Sequence, residues 1–173
     1  MRARLSATAG PLAGVLSLLV LAPAKTFGQY APGEQGSDNV KIVAHVPLAG
    51  ALQVADIEIE QDLERPYVYL SRRLNPSGFQ IIDLSAPAEA KVIYSWFIEN
   101  AELHRGSGLD GKYFKLNGRY YYVQSMSFRQ GGPDTDLGAV VFDVTGLPDP
   151  STVREVGRIR APDTPGGFHN IFT

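Results

Sequence analysis

Three histidines, His45, His104 and His169, lie far apart in the chain, and no two share the i, i+4 spacing that presents a zinc pair on a helix. His104 and His169 both stand at the entry to a β-rich segment, and Asp163 is close to His169. These three, His104, Asp163 and His169, are the candidates for metal ligation or acid–base work, with an ordinary hydrogen-bonded histidine as the alternative. Asp56, Glu58 and Glu60 alternate with Ile57 and Ile59, and Asp62 and Glu64 follow. A hydrolase pair or a Ca2+ ion can use carboxylates on one strand face, but Lys112 and Lys115 occupy the matching stretch further on, which favours a solvated face. Asp134-Thr135-Asp136 follows Gln130-Gly131-Gly132-Pro133 and begins like a Ca2+ loop, without the later Gly and bidentate Glu. With no cysteine there is no thiol nucleophile, and neither Gly-x-Ser-x-Gly, a phosphate loop nor a dinucleotide fingerprint occurs. No catalytic set emerges, and the cofactor stays unassigned.

The elements that must position these groups read as β. Val40 to Val46 and Asp56 to Glu60 alternate in the manner of half-buried strands. Pro66 to Leu70, Gly78 to Leu84 and Lys91 to Phe97 are β-rich runs bounded by turn residues. The later part of the chain repeats this order. Gly78-Phe79-Gln80-Ile81-Ile82-Asp83-Leu84-Ser85 aligns with Gly138-Ala139-Val140-Val141-Phe142-Asp143-Val144-Thr145, an offset of 60 residues at both Gly and Asp. A proline-containing turn and a further strand follow each copy, and an aromatic strand precedes each, Tyr67 to Leu70 and Tyr120 to Val123. Asn117-Gly118 supplies a tight hairpin because both residues tolerate positive φ. No segment keeps a helical period over ten residues; Ile98 to His104 has room for one or two turns.

Two four-stranded antiparallel units follow, about 55–97 and 108–159, which predicts an all-β chain of propeller-blade type. Asp83 and Asp143, each at a strand end before Ser or Thr, are expected to accept backbone N–H bonds and shape the turn rather than to do chemistry. The run Ile81-Ile82-Asp83-Leu84-Ser85-Ala86-Pro87 resembles the LVIVD repeat of secreted bacterial β-propellers. Val141-Phe142-Asp143-Val144-Thr145 with Pro148 resembles a second copy, departing by the inserted Gly146-Leu147. The resemblance covers residues 40–173 and implies a partial propeller: two blades, an N-terminal closing strand over Val40 to Leu48, and the first strand of a third blade over Phe168 to Thr173. Closing a ring takes about four blades, some 200 residues, so the chain is expected to be the N-terminal part of a longer protein.

Ahead of the repeats, Arg2 and Arg4 precede an apolar stretch from Leu12 to Leu21 and the small-residue site Ala22-Pro23-Ala24, the pattern of a secretory signal. The apolar stretch falls well short of the ~20 residues that span a bilayer. Residues 1–28 are expected to be this signal and 29–39 a flexible lead-in, giving a secreted, periplasmic or cell-surface protein with no membrane span after cleavage. Loss of Arg2, Arg4 and Lys25, with no acid among residues 1–28, lowers the formal charge from −2 to −5. An acidic chain offers no electrostatic case for nucleic acid. Without cysteine, neither lipidation at the cleavage point nor disulfides are available, so the core alone must hold the fold.

The matching connections between the second and third strands of each unit are expected to share one face, and such faces commonly bind. Arg72, Arg73 and Asn75 in the first unit, with Arg129, Asp134 and Asp136 in the second, are therefore the candidate ligand contacts. The expected function is a binding or scaffold module for an unknown protein or cell-surface ligand. The alternative is part of an enzyme or metal-binding propeller whose site needs further blades.

Overall fold

A computed structural model describes residues 37–48, 54–74, 76–99, 106–128 and 134–173. It contains two four-stranded antiparallel sheets and, among the described residues, no helix beyond the short 3-10 turns Pro87–Glu89 and Pro150–Thr152. The first sheet runs in the order β1 (Val54–Ile59), β2 (Tyr67–Arg72), β3 (Gly78–Asp83) and β4 (Lys91–Phe97). The second is β5 (Gly106–Leu116), β6 (Arg119–Phe128), β7 (Leu137–Asp143) and β8 (Arg154–Arg160). Each is a simple meander with its strands paired in chain order. This is the arrangement of two neighbouring blades of a partial β-propeller.

The repeat is visible in the register. Tyr67 stands opposite Asp83 in the first sheet, and Tyr121 opposite Asp143 in the second. Asn117 and Gly118, at φ 51° and 76°, make the tight turn between β5 and β6, and Leu116 pairs with Arg119 across it. The connections β2–β3, β4–β5 and β6–β7 therefore lie at one end of the sheets, called here the looped end. The β1–β2, β5–β6 and Asp-turn connections lie at the other, the foot.

Period-2 alternation explains the core. Tyr69, Phe79 and Ile81 point from the first sheet toward the second, which answers with Tyr122, Met126, Val140 and Phe142, all fully buried. Tyr69 and Tyr122 stack at 4.4 Å between ring centroids, and Phe79 meets Phe142 edge-on at 4.8 Å. Aromatic pairs in these geometries add about 0.5–1.5 kcal/mol each beyond their burial. β5 is the strand of the second sheet laid against β1 and β2.

Three expectations are corrected here. The carboxylates of β1 are not the solvated face: Ile57 and Ile59 are 56% and 48% exposed, whereas Asp56 and Glu58 are half-buried and Glu60 is buried. The acidic face turns toward the second sheet, where Lys112 and the Gly111 N–H meet Asp56 and Glu58, while Glu60 is paired by Arg65 from the β1–β2 connection. Residues 41–48 form no strand; Val46 and Leu48 instead cover Val68, Leu70 and Ile82 on the far face of the first sheet. A closing strand needs a ladder partner, and none of the described strands lies beside it. Phe168 to Thr173 likewise forms no strand: pairing with β6 stops at a single antiparallel bridge, Gly167 to Ser127, with Phe168 N–H on Met126 O at 2.8 Å, after which the Ile171 N–H goes to the Asp110 carboxylate at 2.8 Å. The expected signal, most of the lead-in, and the one or two helical turns over 98–104 apart from Ile98 and Glu99 lie outside the described residues.

Candidate functional site

Between the sheets, buried polar groups form two connected sets. At the foot, the Glu60 carboxylate has no exposed side-chain surface. It accepts from Arg65 Nε at 2.7 Å and Nη2 at 3.2 Å and from the Tyr69 hydroxyl. Arg65 continues across the gap, donating to Val144 O at 3.0 Å and Thr145 O at 3.2 Å with its guanidinium 3.9 Å from the Tyr120 ring centroid. Burial pulls the Arg65 pKa down, but the Glu60 carboxylate outweighs it and holds the guanidinium charged. Nearer the looped end, Gln124 Oε1 accepts from Ser71 Oγ at 3.0 Å and from the Tyr122 hydroxyl at 2.9 Å. Its amide donates to the carbonyls of Asp110 at 3.2 Å and Ser125 at 3.0 Å. Burial drives the Tyr69 and Tyr122 hydroxyls far above the usual tyrosine range, so both remain donors.

Where the first strands of the two sheets meet at the looped end, Asp56, Asp110 and Lys112 form a charged cluster. Asp56 Oδ2 accepts the Gly111 N–H at 3.1 Å. One position back, Asp110 Oδ2 accepts the Ile171 N–H at 2.8 Å. Asp56 stands opposite Ser71, and the Asp110 N–H donates to Ser125 Oγ at 2.8 Å, so the two aspartates hold corresponding places in the repeat. Each fastens the backbone of the next segment along. Lys112 Nζ sits 2.6 Å from Asp110, 3.5 Å from Asp56 and 3.8 Å from Glu58. Burial disfavours the Lys112 charge, but these carboxylates outweigh it and raise its pKa. Burial likewise works against the Asp110 charge; the Ile171 N–H, Lys112 and Asp56 overcome it and lower its pKa.

Beside this cluster opens a recess of about 140 Å3 lined by Ala55, Asp56, Leu109, Asp110, His169 and Asn170. His169 is exposed at its rim, with Nδ1 against Asn170 Oδ1, and its carbonyl accepts from Ser125 Oγ at 3.4 Å. The lining presents carboxylate, imidazole and amide groups and no hydroxyl or thiol, so it can accept and donate hydrogen bonds, and the groups in it able to act as nucleophile or base are the aspartates and His169.

The structure distributes the sequence candidates unevenly. His169 reaches the recess. Asp163 is exposed in the turn closed by Thr164 N–H to Ala161 O and does not line it, and His104 lies outside the described residues. Among the described residues no three His, Asp or Glu side chains are grouped to hold a metal ion. Arg72 is no loop residue: it ends β2, is 7% exposed, and has its guanidinium 5.0 Å from the Phe97 ring centroid with Nε unpartnered, and burial lowers its pKa. Arg73 is half-buried at the loop entry, its carbonyl accepting from Ser77 Oγ at 2.9 Å. Asn75 and Arg129 fall outside the described residues. Asp134 and Asp136 are bridged by the two arms of Arg160, at 2.6 and 2.7 Å.

At the foot, Asp83 Oδ1 accepts the Ser85 N–H at 2.8 Å and Asp143 Oδ1 the Thr145 N–H at 3.0 Å. Asp110 and its role in the recess escaped the sequence reading. The sequence repeat, offset by 60 residues at Gly and Asp, does not by itself pair Asp56 with Asp110; the strand register does. The Glu60–Arg65 pair was beyond such reading, since only the packing of two sheets buries it. A scan against models of protein families, a search of curated proteins and a search of solved structures each find no match to this chain.

Proposed function

We propose that this chain is an exported module of the LVIVD-repeat type whose looped end binds or scaffolds a protein or cell-surface ligand. The observation that carries this reading is the recess beside Asp56 and Asp110. Two corresponding aspartates are spent on fastening neighbouring backbone, which leaves a rigid hollow at the end where the repeated connections converge. Rigid scaffolds with grouped loops are the usual setting for binding. Its carboxylate, imidazole and amide groups supply hydrogen-bond donors and acceptors for recognition. The repeated Asp turns at the foot support the family reading, because both copies make the same Asp-to-N–H bond two residues on.

The test is capture of cell-surface extract on the immobilised full chain, compared with His169→Ala and Arg73→Glu. A specifically retained species that is lost from both variants supports the reading; equal recovery on all three surfaces rejects the looped end as the binding end. Export is tested separately by fusing residues 1–28 to a reporter enzyme, with reporter retained inside the cell as the contrary result.

A further inference from the structure

We propose that a second cleft, at the foot of the second sheet, binds an acidic sugar through the sugar's carboxylate and hydroxyl groups. This goes beyond the reading above, which concerns the opposite end. The cleft has a volume of about 460 Å3, within the ~300–1,000 Å3 of small-molecule sites, and is lined by Arg119, Asp143, Thr145, Ser151, Thr152 and Arg154.

Its charge is the first argument. Asp143, with 5% of its side chain exposed, accepts from Arg119 Nη2 and, at 3.2 Å, from Arg154 Nη2. One carboxylate thus orients two guanidiniums, whose side chains remain 47% and 65% exposed. The lining keeps one positive charge in excess, and Arg154 has further donors with no other described partner. A guanidinium fork is the side chain best matched to a carboxylate. Neither Asp149 nor Glu155 lines the cleft; Asp149 Oδ1 is taken by the N–H and hydroxyl of Ser151 at 2.9 and 2.7 Å, and the Glu155 carboxylate by Arg158 at 2.7 and 3.0 Å.

The hydroxyls supply the second argument. Ser151 Oγ gives its hydrogen to Asp149, and Thr152 Oγ1 gives its own to Asp149 O at 2.6 Å. Their hydrogens are spent and their lone pairs remain, so toward the cleft both are acceptors. Cationic forks beside hydroxyl acceptors complement a molecule carrying a carboxylate and several O–H donors, which describes a uronic acid.

Among the described residues the first repeat does not reproduce the charge arrangement of this cleft. In the first sheet, Arg65 holds the place of Arg119 but crosses to Glu60, Val144 and Thr145, leaving Asp83 opposite a single cation, Lys91. The second copy adds Gly146-Leu147 to its turn, and Gly146 lies so close to Thr152 that an added Cβ would fall 2.3 Å from its hydroxyl oxygen. The repeat departs from its own pattern where the cleft forms.

The test is titration of the full chain, with its arginines 15N-labelled, against galacturonate, galactose and inorganic phosphate. Galacturonate is expected to shift the Arg119 and Arg154 Nε–H signals saturably, with galactose and phosphate each at least about tenfold weaker. Arg154→Gln is expected to weaken galacturonate about tenfold or more, with an unchanged thermal midpoint because the side chain is mostly exposed. Should that variant lose stability, Arg154→Lys, which keeps the charge and loses the fork, reads the same contact. No saturable shift, or affinity indifferent to Arg154, overturns the proposal. Phosphate binding as tightly as galacturonate overturns its sugar component and leaves an anion patch only.

Discussion

Arg65 Nη2, in the first sheet's β1–β2 connection, donates to the carbonyl of Val144 in the second unit at 3.0 Å and, with Nε, also holds the buried Glu60 carboxylate. The two sheets are thus joined by a charged residue that is only 9% exposed. Removing one member of such a pair leaves an uncompensated charge in the interior, which costs about 3–5 kcal/mol. Arg65→Ala is therefore expected to destabilise the fold by about 3 kcal/mol or more in urea unfolding. Arg65→Lys should recover only part, since an ammonium cannot span Glu60 and two carbonyls at once. A loss below about 1 kcal/mol for Arg65→Ala would show that the pair carries no weight.

Two glycines separate steric from conformational demands. At Gly111 an added Cβ would fall 2.0 Å from the hydroxyl of fully buried Tyr122, whereas at Gly118 nothing lies within 4 Å and only the φ of 76° opposes a side chain. Gly111→Ala must displace a core ring and is expected to cost about 1–3 kcal/mol, with changed near-UV circular dichroism. Gly118→Ala should cost about 1 kcal/mol and leave that spectrum intact. Equal spectra for the two variants would contradict the distinction.

Asp143 is the group whose titration should be felt in stability. Burial works against its charge, but the Thr145 hydroxyl and N–H and the Arg119 guanidinium outweigh it and hold its pKa far below the usual carboxylate range. A carboxyl with a lower pKa folded than unfolded stabilises the fold above the unfolded value, about 3.9. That contribution is lost as pH falls through the folded value. The stability gap between the native chain and Asp143→Asn is therefore expected to be constant above about pH 5 and to shrink steadily below about pH 4. A gap that is flat down to pH 2 would exclude the linkage.

The paired fastenings at Asp56 and Asp110 predict local effects on amide exchange. Asp56→Asn should reduce protection chiefly at Gly111, and Asp110→Asn chiefly at Ile171, each by about tenfold where the charge-assisted bond weakens. The Asp110 change should also loosen the rim of the recess, because His169 and Asn170 immediately precede Ile171. Unaltered protection at Ile171 in Asp110→Asn would mean that the carboxylate does not hold that segment.

Gln124 tests whether the buried polar set is cooperative. Gln124→Leu removes the acceptor shared by the Ser71 and Tyr122 hydroxyls, leaving them only their 3.3 Å contact with each other, and takes the amide donor from the Asp110 carbonyl, which points to a loss of about 1–3 kcal/mol in urea unfolding. Tyr122→Phe removes one donor while Ser71 still serves the Gln124 oxygen, so it should cost less. The reverse order would indicate that Tyr122 packing, rather than the amide, organises the set.

The residues alone determined the local elements, because alternation, Asn-Gly and proline turns act over a few positions. The register match of Gly78 and Asp83 with Gly138 and Asp143 was enough to expect two four-stranded sheets, and the structure has them. Which face of β1 turns inward was decided by the tertiary structure. Alternation places Ile57 and Ile59 together but is silent on direction, and the inward choice of Asp56, Glu58 and Glu60 follows from Lys112 and the Gly111 N–H lying across the gap and from Arg65, which itself reaches from the β1–β2 connection into the gap. The same holds for Arg72, which reads as a loop cation and is a buried strand residue over Phe97. Both candidate clefts were likewise hidden, since each is assembled from segments distant in the chain. Sequence spacing reports neighbours along one strand, while burial and charge pairing are properties of two surfaces meeting.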